Sequence, residues 1–101
     1  MLVQFSMFPL GKGESVGKYV AKIVDLVDRS GLPCQTSAMS TVIEGEWDEI
    51  FNLIKRCRNV MKKEANRIYI VITIDDRKKG KNRIQGKVET IEKILKRKIK
   101  K

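Results

Sequence analysis

Two stretches of helical periodicity, each held between stretches of strict alternation, constrain the fold of this 101-residue chain more than any other feature. At the start, Val3, Phe5 and Met7 alternate with Gln4 and Ser6, which is the pattern of a half-buried strand. Residues 9–13 break it. Val16, Tyr19, Val20, Ile23, Val24 and Val27 then recur on one helical face, with Ser15 placed as the cap and Gly31 and Pro33 just past the end. The order then repeats. Residues 34–38 and 41–44 read as two short strands separated by only a residue or two, a tight antiparallel hairpin. Gly45-Glu46 opens a second amphipathic helix carrying Trp47, Ile50, Phe51, Ile54, Cys57 and Met61. The strand Arg67 to Ile74 places Ile at every even position and Tyr69, Val71 and Thr73 on the other face. With both faces largely apolar, it is expected at the centre of the sheet. A basic loop, Lys78 to Arg83, leads to a short helix with Val88, Ile91 and Leu95 on a narrow stripe.

The order β-α-β-β-α-β plus a terminal helix predicts an α+β, ferredoxin-like sandwich, with two helices on one face of a four-stranded antiparallel sheet. One domain is expected over 1–101, with its core at about 2–76 and the basic loop and terminal helix at 77–101. The second sheet face, carrying Gln4, Ser6, Tyr69, Val71 and Thr73, is too apolar for plain solvent and too polar for a core. It has the composition of a subunit interface containing a pocket. A chain of this size buries only about 60–70% of its unfolded surface, so self-association is a further way to bury apolar area.

The net charge of +10 is unevenly placed. Residues 1–76 hold ten Lys/Arg and ten Asp/Glu, whereas residues 77–101 hold twelve Lys/Arg against Glu89 and Glu92. A neutral body therefore carries a basic end. Such an end attracts polyanions by counterion release, but it is also the ordinary form of a solvated face and of the Lys/Glu-rich composition of proteins from hot environments. No run approaches the roughly 18 apolar residues of a membrane span, and no charged start precedes an apolar stretch, so a cytoplasmic protein without membrane contact is expected.

Catalytic and metal chemistry find little support. The chain has no histidine, and Cys34 and Cys57 are too far apart for a CxxC pair, which leaves reduced core cysteines and no expected metal site or cofactor. The turn Leu10-Gly11-Lys12-Gly13-Glu14-Ser15 sits between strand and helix, where phosphate-cradling loops sit, yet it lacks the glycine of the dinucleotide fingerprint at Val16 and the Gly-Lys-Ser/Thr of a P-loop. Gly11, Gly13 and Ser15 remain candidates for loose anion binding, beside the plain reading of glycines that make a turn. Asp75 and Asp76 read as a strand-end turn or as partners of Arg77, and Glu44 and Glu46 project differently once Gly45 starts a new element. No catalytic residue is assigned.

The run Met39 to Trp47 is the chief anomaly, because it puts Thr41 and Glu44 inside a strand that otherwise reads as buried. An unpaired buried carboxylate is costly. Glu44 therefore needs a basic side chain (Arg56, Arg67 or Arg77), another subunit or a ligand. Alternation places Thr41 with Ile43 and Glu44 with Val42, so the two reach one pocket only at a strand end or across a bulge.

Three segments together, Phe5-Ser6-Met7-Phe8-Pro9-Leu10-Gly11, Met39-Ser40-Thr41-Val42-Ile43-Glu44-Gly45 and Ile74-Asp75-Asp76-Arg77, resemble the small thiamine-binding protein family in order and spacing over about residues 2–95. The resemblance implies a ferredoxin-like fold, homotetramers formed as dimers of dimers by packing sheets, and binding of thiamine or its hydroxymethylpyrimidine portion. On that basis Glu44 would accept from the aminopyrimidine or offset the thiazolium, and Thr41 and Ser6 would bond to ring nitrogens. Phe5, Met39 or Tyr69 would pack on ring faces, and Arg77 with Lys78 would hold the anion of a phosphorylated form. The long Lys-rich end lies outside the family pattern. The expectation is a non-catalytic small-molecule-binding homo-oligomer; the alternatives are a nucleic-acid-binding module using the basic end, and a purely structural or regulatory oligomer.

Overall fold

The computed structural model describes residues 1–14, 16–78 and 80–101. The chain runs β1 (Leu2–Leu10), α1 (Gly17–Arg29), β2 (Cys34–Thr36), β3 (Thr41–Glu44), α2 (Trp47–Lys62), β4 (Arg67–Asp75) and α3 (Arg83–Leu95). The four strands form one antiparallel sheet in the order β2-β3-β1-β4, the expected α+β arrangement. Ser15, expected to cap α1, lies outside the described residues, and Val16 stands at the N-cap position. No helix among the described residues is long and apolar enough to cross a membrane.

Alternation along β1 decides where the core lies. Val3, Phe5 and Met7 turn to one face and are 0–4% exposed, packed against Ile23 and Val27 of α1 and the buried face of α2. On α2 that face is Ile50, Leu53, Ile54, Cys57 and Met61, while Trp47 stays exposed and stacks on Phe51 with ring centroids 4.5 Å apart. The thiol of Cys57 is pushed up to about 11 by its burial, as an inert core cysteine requires. At the start of α2 the backbone N–H of Glu46 donates to Glu49 Oε1 at 3.1 Å, half of a capping box.

β4 is not central. It pairs along its whole length with β1 and forms the edge of the sheet. Its isoleucine face packs under the helices at Ile68, Ile70 and Ile72, but Tyr69 and Val71 on the other face are 52% and 45% exposed. Two apolar faces on a strand thus meant one face in the core and one face uncovered, not burial between neighbours. The hairpin also differs from expectation: β2 ends at Thr36, Thr36 pairs with Thr41, and residues 37–40 form a four-residue loop closed by the Ser37 N–H donating to the Ser40 carbonyl at 2.8 Å.

The terminal helix covers part of the sheet face that was expected to be open. α3 approaches β3 at its N-terminal end, and Ile84 and Val88 border a hollow with Cys34 and Gln35 of β2. None of its residues is buried, and Ile91, Ile94 and Leu95 remain exposed along its second half.

Candidate functional site: the cavity beyond the start of β3

Strand lengths create the site. β1 is nine residues long, but β3 pairs with it only from Leu2↔Glu44 to Phe5↔Thr41. The Gly45 N–H donating to the Met1 carbonyl at 3.0 Å sets the phase of this ladder: odd-numbered residues of β1 direct their N–H and C=O toward β3. Met7 therefore points its backbone donor and acceptor at the space where β3 has already turned away. α1 closes that space on one side with Val16, Val20 and Val24, and the 36–41 hairpin closes it on another. The result is a cavity of about 210 Å³.

Its floor is apolar and its rim is hydroxylic. Phe5 and Met7 form the back, and Thr36, Ser37, Ser40 and Thr41 border the mouth. Thr41 is 6% exposed, and its hydroxyl meets that of Thr36 at 3.4 Å. A strong O–H···O bond spans about 2.5–3.0 Å, so most of the capacity of the Thr41 hydroxyl is unspent. Met39, 87% exposed at the hairpin tip, borders the cavity as a flexible apolar arm. No described residue that lines the cavity is charged.

Four residues singled out in the sequence, Phe5, Ser6, Met39 and Thr41, thus meet at one cavity. Tyr69 does not line it. It sits opposite Phe8 on the exposed sheet face, ring centroids 5.5 Å apart, and Phe8 in turn borders the cavity. Arg77 lies beyond the end of β4, which pairs with Leu2 at the other end of β1. Gly11 and Gly13 take left-handed backbone at φ +80° and +85°, the conformation for which glycine was placed in that turn.

Glu44 has an intramolecular partner of a kind the sequence did not suggest. Its carboxylate accepts from the Arg83 backbone N–H at 2.8 and 3.0 Å and from the Ile84 N–H at 3.4 Å. It therefore caps α3 from 39 residues away, supplying the charge that the positive end of a helix favours. The N-cap residue itself, Asn82, is in left-handed backbone at φ 55° and makes no side-chain cap. Asp75 likewise pairs with Lys87 of α3 rather than with Arg77. The carboxyl of Asp75 is held below its usual range by the hydrogen bond from Lys87 and by the charges of Lys87, Arg83 and Arg77.

The remaining signals missed in the sequence were Val16, Val20 and Val24 as cavity wall. The signal was present: the apolar stripe of α1 is wider than Ile23 and Val27 need to reach the core.

Residues 3–92 match the family model described as thiamine-binding protein. The chain belongs to the thiamine-binding protein family. It is 36% identical over 91 residues to UPF0045 protein MJ1052 of Methanocaldococcus jannaschii, covering 90% of this chain and 91% of that one. It is 42% identical over 96 residues to UPF0045 protein MT1949 of Mycobacterium tuberculosis, covering 94% of each. The crystal structure of MJ1052 superposes with a TM-score of 0.82 at 37% identity, over 89% of this chain and 93% of that one. A Thermotoga maritima protein, named as a candidate for thiamine biosynthesis or salvage, shares the fold with a TM-score of 0.79 at 20% identity, over 89% of this chain and 96% of that chain.

Proposed function

We propose that this member of the thiamine-binding protein family is a non-catalytic binding protein for thiamine or its hydroxymethylpyrimidine portion, and that the aminopyrimidine ring enters the cavity between β1, α1 and the 36–41 hairpin. The observation that carries this reading is the make-up of the cavity: apolar walls, no charged residue among the described lining, and a Thr41 hydroxyl with spare capacity beside a strand edge left by β3. An aminopyrimidine offers a flat apolar face and an edge of alternating donors and acceptors. The Met7 peptide groups and the Thr41 and Ser40 hydroxyls are the groups such an edge needs.

Size supports one ring rather than two. Pockets for drug-sized ligands measure roughly 300–1,000 Å³, and this cavity is about 210 Å³. The thiazolium of thiamine would then lie past the mouth, along Met39, where a cation keeps its solvent. The family description as a binding protein and a described lining whose hydroxyls have no carboxylate, amine or imidazole beside them to activate them both favour capture without chemistry. In the same reading the protein works in the cytoplasm as a homo-oligomer assembled through the sheet face that displays Tyr69 and Val71.

Calorimetric titration with hydroxymethylpyrimidine, thiamine and thiamine phosphates tests the ligand. The expected result is saturable binding of the pyrimidine and thiamine with similar affinity, weakened by Thr41→Val. No heat with any of the three at millimolar concentration would sink the reading. Sedimentation velocity of the protein and of Val71→Glu tests the assembly.

A further inference from the structure

We propose that Lys12, Lys18 and Lys22 form a binding site for a phosphate or diphosphate group, separate from the cavity and on the opposite side of α1 from Val20 and Val24. Lys18 and Lys22 are one helical turn apart and share a face of α1. Lys12 is brought to them by the turn between β1 and α1, where Gly11 and Gly13 hold left-handed backbone on either side of it. Together with Tyr19 and Glu64 they line a depression of about 320 Å³. A neighbouring hollow of about 390 Å³ shares Lys12 and adds Asn66 and Arg67.

The concentration of charge is what calls for a ligand. Residues 1–76 balance to zero, yet here three lysines border one depression with a single carboxylate, and Arg67 borders the next hollow. Like charges one turn apart repel, and Lys12 adds to the repulsion. Glu64 answers only part of it, through an ion pair with Lys22. All three lysines line the same depression as Glu64, and the carboxyl of Glu64 is held below its usual range by the Lys22 hydrogen bond and then by the charges of Lys22, Lys18 and Lys12. Lys18 is steadied over the Tyr19 ring, 5.0 Å from its centroid.

A tetrahedral oxyanion with two or more charges suits this arrangement. Its oxygens accept from ammonium groups arriving from different elements, and its charge offsets what Glu64 leaves over, which a single carboxylate would not. Because the lysines are exposed, binding should be weak and sensitive to salt.

The test is a titration of the full chain with inorganic phosphate and with pyrophosphate at constant ionic strength, followed residue by residue in amide ¹H–¹⁵N spectra. Saturable shifts are expected at residues 11–13, at Tyr19 and at Lys22, with pyrophosphate the tighter ligand. Replacing Lys12→Ala and Lys18→Ala together should weaken binding at least about fivefold, as loss of two partly screened charge contacts predicts. Glu64→Gln, which removes the competing carboxylate, should strengthen it about two- to threefold. A Lys98→Ala/Lys100→Ala variant should bind as the parent does, and Val20→Phe, which fills the other cavity, should leave these shifts in place. Shifts that rise without saturating, that fall only on residues 77–101, or that persist unchanged in the Lys12/Lys18 double variant would overturn the proposal.

Discussion

The two ends of β3 carry the two polar residues that make this strand unusual, and the fold treats them in opposite ways. At the start, Thr41 faces the helices beside a cavity, and among the described residues its hydroxyl has only a 3.4 Å hydrogen-bond contact, with Thr36. At the end, Glu44 faces the other side of the sheet, and its carboxylate is filled by the first N–H groups of α3. Three residues of alternation separate them onto opposite faces. A polar group in a strand therefore marks a ligand site only where neighbouring elements stop short. Where an element arrives with backbone donors of its own, the same kind of anomaly becomes a structural cap.

The largest test of this contrast fills the open end. Val20→Phe adds a ring to the wall of the cavity, where room exists, so the fold should tolerate it with a stability change of less than about 1.5 kcal/mol. Binding of hydroxymethylpyrimidine should fall at least about 100-fold because the ring takes the ligand's place. Calorimetry and a thermal melt on the same sample read both quantities. Retained binding would place the ligand elsewhere and remove the distinction between the two ends.

Glu44→Ala tests the closed end. It takes the acceptor from two backbone N–H groups at a helix start, and losses of this kind cost about 2 kcal/mol where the acceptor is charged and little exposed. Amide exchange should accelerate from Arg83 through Val88, where α3 meets the sheet, while β1 and α2 stay protected. Pyrimidine binding should not change. If affinity fell together with α3 protection, the two ends would be coupled through β3.

How much of this was legible before the fold was known differs between the ends for physical reasons. The β-α-β-β-α-β order, the core stripe of Val3, Phe5 and Met7 and the helical faces of α1 and α2 follow from periodicity, which is local. Thr41 and Met39 were readable as candidates, but the cavity that collects them depends on β1 being longer than β3 and on the register Phe5↔Thr41, a pairing across 36 residues. The partner of Glu44 had no signal at all. Arginine side chains were the natural guess, whereas the donors are backbone groups of Arg83 and Ile84, and every residue but proline carries such a donor. β4 misled for a related reason: apolar residues on both faces suggested a central strand, and composition alone does not say which neighbours a strand has, so its place at the edge was not legible.

Thr41→Val is the subtler probe of the open end. The replacement keeps the branched shape and removes the hydroxyl. With the one hydrogen-bond contact of its hydroxyl among the described residues at 3.4 Å, stability should move by less than about 0.5 kcal/mol. Pyrimidine affinity should drop about five- to tenfold, the worth of one neutral hydrogen bond at a desolvated site. An unchanged affinity would leave the apolar walls and the Met7 peptide groups as the whole of recognition.

The smallest effect belongs to the second tie that holds α3, the ion pair of Asp75 with Lys87. The folded carboxyl is held below its ordinary value, first by the Lys87 hydrogen bond and then by the charges of Lys87, Arg83 and Arg77. A depressed carboxyl contributes stability that is present above the unfolded value of about 3.9 and is lost as the pH falls through the lower folded value. Because the pair is exposed, its contribution is small and screened by salt. Comparison of the parent with Asp75→Asn isolates it. Between pH 5 and 7 the parent should protect the α3 amides slightly better than the variant, and the gap should close as the solution is acidified below about pH 3.9. Raising the salt at neutral pH should close it too, whereas the loss of protection in Glu44→Ala should persist in salt, because there the missing partner belongs to backbone N–H groups and not to a surface ion pair. A gap that survives both acid and salt would show that Asp75 steadies α3 through packing and not through charge.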